Sequence, residues 1–473
     1  MERINIVPKP NKTELLGGEV EVASLGVQTS LDPALGSEEY ILTLDESGVQ
    51  IVGGSEQAIF YGRQTLAQLK GICPCVKITD KPAHGYRGFM LDCVRHMFSL
   101  DEIKKLIDAA ASLKMNAFHW HLTDDQGFRM WIDRRPSVAI EGSVRRASEF
   151  GSLKEDGEYG GYYTSKQMKE IVDYCAERYV TVIPEFDMPG HCSALLHVYP
   201  QIGCKGTPVE VKTHQGIFPD VLCAGKDETF EIIFDILEEM LEIFPSEYIH
   251  IGGDEAPKKH WKTCPDCQRR IRQTGLKNEE ELQGWFTNEI IAFLKSKGRK
   301  AIVWNESLKS GLIGKDAVVQ MWMDPKNTCV DFANKLGGKV IVSDFFHYYC
   351  DYPYEMTPLD KTYNYKSVLK GIKDSSTVYG VEVPIWTEFI NNFERLNYMF
   401  FPRFAAVAET GWTNEENKNA ADFRRRFKSY SATLSRIGIV AAPPHDWNPP
   451  ALSRAVGTLK FMNSNVRKKP ENK

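Results

Sequence analysis

From residue 83 onward, short apolar runs alternate with amphipathic stretches of helical period, and this rhythm limits the fold of the 473-residue chain more than any other feature. Eight runs read as strands: 88–94, 117–122, 180–186, 248–252, 301–304, 317–322, 339–345 and 378–386. Helical segments lie between them, such as 101–113. In 228–244, Ile232, Ile233, Ile236, Leu237, Met240, Leu241 and Phe244 make one apolar stripe. Strands alternating with helices argue for a parallel sheet, and eight such units match a (β/α)8 TIM barrel. The alternative, an open doubly wound sheet, should carry a glycine-rich phosphate loop after its first strand. None is present here.

The first 82 residues read differently. Residues 39–52 alternate, turn at Gly48 and alternate again, the pattern of a hairpin. Ser55 then stands as an N-cap before a helix carrying Ile59, Leu66 and Leu69. Residues 73–81, with Pro74 near the start and Pro82 just beyond the end, read as a boundary. The expected fold is therefore a small α+β domain, residues 1–82, followed by a catalytic barrel with a C-terminal tail, residues 83–473. Length alone suggests about three domains, but a barrel takes about 250 residues or more by itself.

Composition narrows the function classes. Hydrophobic residues are 42% and charged residues 26%, which excludes wholesale disorder and a collagen-like fibre. The balance of 58 basic and 63 acidic residues gives a net charge of −5, which disfavours a nucleic-acid partner. No window of 18 apolar residues exists, so no membrane span is expected. The N-terminus lacks the stages of a signal peptide. Eleven cysteines, an odd number spread over a long chain, do not resemble a disulfide framework. These points lead to a cytoplasmic expectation with reduced thiols. Without a secretory signal, the sequons at Asn11 and Asn305 carry no weight.

In a barrel the active site lies at the C-terminal strand ends. Polar or aromatic residues stand at the end of each apolar run: Arg95 and His96; His119, His121 and Asp124; Glu185, Asp187 and His191; Asp254 and Glu255; Trp304 and Glu306; Trp322; Tyr348, Tyr349 and Asp351; Trp386 and Glu388. Tryptophans can supply apolar walls with N–H edges, and carboxylates with an arginine can bind hydroxyls, so this rim favours a sugar. Adjacent strand residues point to opposite faces, so Asp254 and Glu255 must sit where strand gives way to loop. Gly252 and Gly253 suit that release.

His250-Ile251-Gly252-Gly253-Asp254-Glu255 resembles the signature of glycoside hydrolase family 20, the β-N-acetylhexosaminidases. The stretches 86–96, 117–125 and 184–191 are similar to the family's first three barrel strands. Residues 60–69 are similar to a helix of the small domain that precedes its barrel. The resemblance implies an exo-acting, retaining enzyme that removes terminal N-acetylglucosamine, or N-acetylgalactosamine, from an oligosaccharide or glycoconjugate. It implies substrate-assisted catalysis, in which the 2-acetamido oxygen attacks C1 and an oxazolinium intermediate forms. Glu255 would be the general acid and then the base. Asp254 would accept from the acetamido N–H, and Tyr349 would donate to its oxygen, with Tyr348 the competing position. Asp124 and His191 would support the general acid. Arg95, Asp351 and Glu388 would bind hydroxyls, with Arg87 as the structural alternative to Arg95. Trp304, Trp322 and Trp386 would enclose the acetamido group. Many family members carry Gly or Ser where Thr387 stands. No cofactor is implied, and a homodimer is compatible with such a chain.

Other readings compete. A sugar-binding protein on a decayed scaffold should have lost Asp254, Glu255 or Tyr349, yet all three are present. His119-Trp120-His121 has the His-x-His form of a metal-dependent barrel amidohydrolase, but on the second strand and without the needed partners. Cys264-Pro-Asp-Cys267 is a Cys-x-x-Cys whose clustered candidates are Cys73, Cys75 and His260. A structural zinc needs four ligands, so this motif reads as a loop after the fourth barrel strand, and no metal is expected.

Overall fold

The computed structural model describes residues 4–466; the extreme ends of the two expected units, 1–3 and 467–473, lie outside them. The N-terminal sheet has five strands: β1 (Lys12–Glu21), β2 (Val27–Leu31), β3 (Tyr40–Asp45), β4 (Gly48–Gly53) and β5 (Ile72–Asp80), in the order β1-β5-β3-β4-β2. The β3–β4 hairpin is the one the alternation predicts, with Asp45 opposite Gly48. Helix α1 (Glu56–Leu66) packs on this sheet, and the Ala58 N–H donates to the Ser55 hydroxyl as the capping argument requires.

The supposed boundary at 73–81 is a correction. It is β5, an interior strand paired with both β1 and β3. Pro74 is tolerated because β3 pairs only with Val76–Asp80, leaving the proline opposite β1 alone. β1 and β2 escaped the periodicity because both are almost wholly exposed. β1 also bulges between Leu15 and Glu19, where Gly17 and Gly18 take φ of 84° and 82°.

Eight parallel strands close the barrel: β6 (Tyr86–Asp92), β7 (Ala117–His121), β8 (Thr181–Glu185), β9 (Tyr248–His250), β10 (Lys300–Trp304), β11 (Val318–Met321), β12 (Val340–Val342) and β13 (Val378–Ile385). All eight expected runs are strands. Several end sooner than their apolar stretch, because residues such as Gly252 and Phe345 belong to the loops that build the rim. Helix α2 (Leu100–Ser112) begins with a reciprocal capping box between Ser99 and Glu102. Helix α3 (Asp227–Ile243) buries the predicted stripe, except for the half-buried Leu241. Helix α4 (Pro265–Thr274) comes after β9 and starts at the Cys-x-x-Cys motif, which is therefore a helix start and not wholly a loop.

The small domain sits at the end of the barrel away from the C-terminal strand ends, its contacts reaching Arg87 near the start of β6 and Lys114 before β7. Asp80, at the end of β5, accepts from Tyr40 Oη (2.8 Å), Lys114 Nζ (3.3 Å) and Trp412 Nε1 (2.8 Å). Trp412 ends helix α5 (Arg403–Trp412) and belongs to the small domain's apolar core. Arg87, near the start of β6, donates to Glu38 and to the Lys114 carbonyl, so it is a joint between the two units.

Candidate active site

Arg95, Asp124, His191, Asp254, Glu255, Trp322, Tyr349, Asp351, Trp386 and Glu388 line one cavity at the C-terminal ends of the strands. Asp187, Phe345, Tyr352 and Phe389 complete its wall. Ten of the eleven residues expected at the site thus come together. Trp304 does not. It is buried beneath the wall, its indole N–H donating to Glu185 Oε1 (2.8 Å) and its ring 6.2 Å from that of Trp386. It supports a wall tryptophan instead of forming the wall.

β9 ends at His250, and the chain then turns through Gly252 (φ 63°) and Gly253 (φ 109°). A Cβ at Gly252 would lie 1.6 Å from Asp187 Oδ1, so no larger residue fits. Asp187 Oδ1 accepts the Gly253 N–H at 3.0 Å, pinning the turn. This places Asp254 and Glu255 side by side above the strand. Glu255 itself takes φ of 43° and His191 φ of 52°, a left-handed backbone rare for such residues.

His191 joins the carboxylates. Its Nδ1 lies 3.1 Å from Asp124 Oδ1 and 3.3 Å from Asp125 Oδ2. Its Nε2 lies 3.5 Å from Glu255 Oε2 and 3.8 Å from Asp254 Oδ2. Burial works against a charged imidazole here, but the Asp124 carboxylate outweighs it and holds His191 well above its ordinary value. Burial also opposes ionisation of Asp124, yet Arg95 and His191 hold it far below the carboxylate range. Asp254 has the reverse balance. Burial pushes it up to about 7, with His191 only partly compensating and Glu255 adding repulsion. Asp187 is raised further by burial and by Asp254.

Arg95 is embedded among acidic side chains. Its guanidinium meets Asp124 Oδ2 at 2.7 Å and Asp92 Oδ2 at 3.3 Å, donates to Gln126 Oε1 and lies 5.1 Å from the Trp386 ring centre. Glu388 stands 3.9 Å away, raised by its burial although Arg95 pulls it down. Tyr349 faces the cavity beside Trp386, the two ring centres 6.3 Å apart. Tyr348 instead points into the core, its hydroxyl near the Tyr365 carbonyl. Among the described residues, Asp254 Oδ1, Asp351 Oδ1 and Trp322 Nε1 are buried without a hydrogen-bond partner. Buried polar atoms without partners are uncommon, and three on one cavity mark it as built for a polar ligand.

His119 and His121 are tied to buried carboxylates. His119 bonds Glu382 Oε1 (2.9 Å) and Glu185 Oε2 (3.1 Å), and His121 bonds Glu185 and Asp124. All four ring nitrogens are taken. Glu382 and Glu185 hold the His119 imidazole up to about 9 against burial, and Glu185 and Asp124 hold His121 up to about 10. This relay below the cavity ends on Asp124. Thr387 also has a structural place, its hydroxyl donating to Asp92 Oδ2 at 3.0 Å.

A parallel barrel whose rim sets two adjacent carboxylates, an arginine and aromatic walls around one cavity defines the class: a barrel glycoside hydrolase. The sequence model described as "Glycosyl hydrolase family 20, catalytic domain" matches residues 84–415, and "Glycosyl hydrolase family 20, domain 2" matches residues 23–81. The chain belongs to glycosyl hydrolase family 20. It is 39% identical over 445 residues to a β-hexosaminidase of Porphyromonas gingivalis, covering 88% of this chain and 56% of that relative's length. The solved β-N-acetylhexosaminidase of Bacteroides fragilis superposes with a TM-score of 0.82 at 29% identity, covering 93% of this chain and 97% of that one. A family 20 exo-β-N-acetylglucosaminidase of Vibrio harveyi, solved with N-acetylglucosamine, superposes with a TM-score of 0.83 at 27% identity, covering 93% and 79%.

Proposed function

We propose that the chain is an exo-acting, retaining β-N-acetylhexosaminidase that takes terminal N-acetylglucosamine, or N-acetylgalactosamine, by substrate-assisted catalysis. The observation that carries this reading is the pairing of Asp254 and Glu255 around His191, with Asp254 Oδ1 unpartnered on the cavity. A carboxylate in that position suits an acetamido N–H. Accepting from it orients the acetamido oxygen toward C1 and stabilises the positive charge that grows as the oxazolinium ring forms.

Glu255 then protonates the leaving oxygen and later activates water, help worth about 10²–10⁴-fold. The Asp124–His191 pair positions Glu255 and adjusts its proton affinity. Tyr349, beside Trp386 on the cavity wall, donates to the acetamido oxygen. Trp322 and Trp386, backed by Trp304, enclose the acetamido methyl. Arg95, Asp351 and Glu388 take the sugar hydroxyls. Specificity for a neutral sugar then comes from these few groups and not from net charge. Eleven unpaired cysteines suit a reducing, cytoplasmic compartment.

The test is turnover of 4-nitrophenyl N-acetyl-β-glucosaminide and of its galacto epimer. Glu255→Gln should lose at least about 10²-fold in kcat. Undiminished activity would remove Glu255 from the acid role. A thiazoline mimic of the intermediate should inhibit competitively, and its failure to bind would count against acetamido participation.

A further inference from the structure

Cys204, Cys223, Cys264 and Cys267 gather into one cluster, with their four sulfurs within 4.8 Å of one another. We propose that this cluster is a structural zinc site that fastens the loop after β8 to the loop after β9, beside the loop segments that carry His191 and Glu255.

The geometry points to a single metal ion. The Sγ separations are 3.5 Å for Cys223–Cys267, 3.7 Å for Cys223–Cys264 and 3.8 Å for Cys204–Cys267. A tetrahedron with zinc–sulfur arms of about 2.3 Å has edges of about 3.8 Å. A disulfide would need sulfurs about 2.05 Å apart. A polynuclear iron–sulfur cluster would hold the cysteine sulfurs further apart, because several ions would stand between them. Soft thiolates in a tetrahedral set of four select zinc among the common divalent ions.

The surrounding backbone is shaped for the same purpose. Cys264 and Cys267 open helix α4, where the helix dipole favours thiolate. Two residues after Cys223, Gly225 packs against this helix start. A Cβ there would lie 2.1 Å from the Asp266 carbonyl carbon and 2.3 Å from the Cys267 nitrogen. Only glycine permits the two cysteine-bearing segments to approach so closely. Cys223, Cys264 and Cys267 are buried, while Cys204 is partly exposed and leaves a path for the ion.

The cluster lies close to the catalytic loops in bonding terms. The Leu222 N–H donates to the Pro189 carbonyl (3.0 Å), two residues before His191. The Trp261 indole N–H donates to the Leu222 carbonyl (2.9 Å), six residues beyond Glu255. Cys73 and Cys75, the partners suggested by sequence, lie in the small domain's core instead, and His260 faces Asp220.

The test is metal analysis of the full chain, expressed with zinc and purified without a metal-affinity step. One zinc per chain is expected, with X-ray absorption showing four sulfur neighbours at about 2.3 Å. Mercurial titration of the wild-type thiols should release that zinc, and chelation should lower the thermal midpoint. Cys223→Ser should carry no zinc; if it fails to fold, the wild-type titration decides alone. Protein with no stoichiometric metal, protein whose mass shows these cysteines joined as disulfides, or protein holding iron in place of zinc would overturn the proposal.

Discussion

Asp254 carries opposing demands. Function asks for a carboxylate, while burial holds the group protonated up to about pH 7. In kcat/KM, which reports free enzyme, the acid limb should therefore fall near pH 7, whereas in kcat it should move lower because the acetamido N–H favours the ionised form. Stability carries the opposite sign. An unfolded aspartate ionises near pH 4, so between about pH 4 and 7 the folded state holds the extra proton and stability falls as pH rises. Asp254→Asn should thus cripple turnover yet raise the thermal midpoint at pH 7 and above. The gain, on the order of 1 kcal/mol per pH unit of that window, should vanish below about pH 4. Thermal melts across pH would show it; an Asn variant less stable than wild type at pH 8 would contradict the burial argument. Asp254 and Glu255 were legible in sequence because the motif after β9 is compact. The choice of Tyr349 over Tyr348 was legible only through the family resemblance, since the residues alone do not say which ring reaches the cavity. The place of Trp304 was not legible, because it shares its strand-end position with tryptophans that do line the site.

At the scale of elements, the site depends on where strands stop. β9 is only three residues long, and its release through Gly252 places both carboxylates. Gly252→Ala would drive a methyl into Asp187 and force a left-handed alanine. A displacement of about 1 Å at reacting groups costs about 10²-fold, so kcat/KM should fall by at least that much even with Tyr349 and Glu255 unchanged. Near-wild-type kinetics in this variant would mean that Asp187 can yield. Strand identity was legible for the barrel because buried parallel strands are continuous apolar runs. It failed for β1 and β2, which are exposed on their sheet, and for β5, where a proline imitates a boundary. The four-cysteine cluster was illegible for another reason: Cys204 and Cys223 lie far from Cys264 in sequence, and only the fold brings the loops after β8 and β9 together.

Across the whole molecule, the two ends of the barrel do different work. The rim opposite the small domain holds the cavity. The other end holds a buried joint in which Asp80 neutralises Lys114 and anchors Trp412 and Tyr40. Burial beside this single carboxylate lowers the Lys114 ammonium to about 8. Removing one partner of a buried pair costs about 3–5 kcal/mol, so Asp80→Asn should lower the thermal midpoint markedly. Below that midpoint, kcat should be unchanged. A fall in kcat without loss of stability would place the small domain in the catalytic machinery. The (β/α)8 plan was legible as a rhythm over three hundred residues, but this joint was not. Its members come from β3, β5, the turn after α2 and the end of α5, four places with no pattern in common.

The central claim is that the substrate's own acetamido oxygen attacks C1 while Asp254 holds its N–H and Glu255 moves the proton. Replacing the acetyl hydrogens by fluorine, one at a time, weakens that oxygen as a nucleophile with little change in shape. For 4-nitrophenyl β-glucosaminides bearing acetyl, fluoroacetyl, difluoroacetyl and trifluoroacetyl groups, kcat/KM should fall steeply at each step. A series in which turnover stays level as fluorine is added would contradict the account.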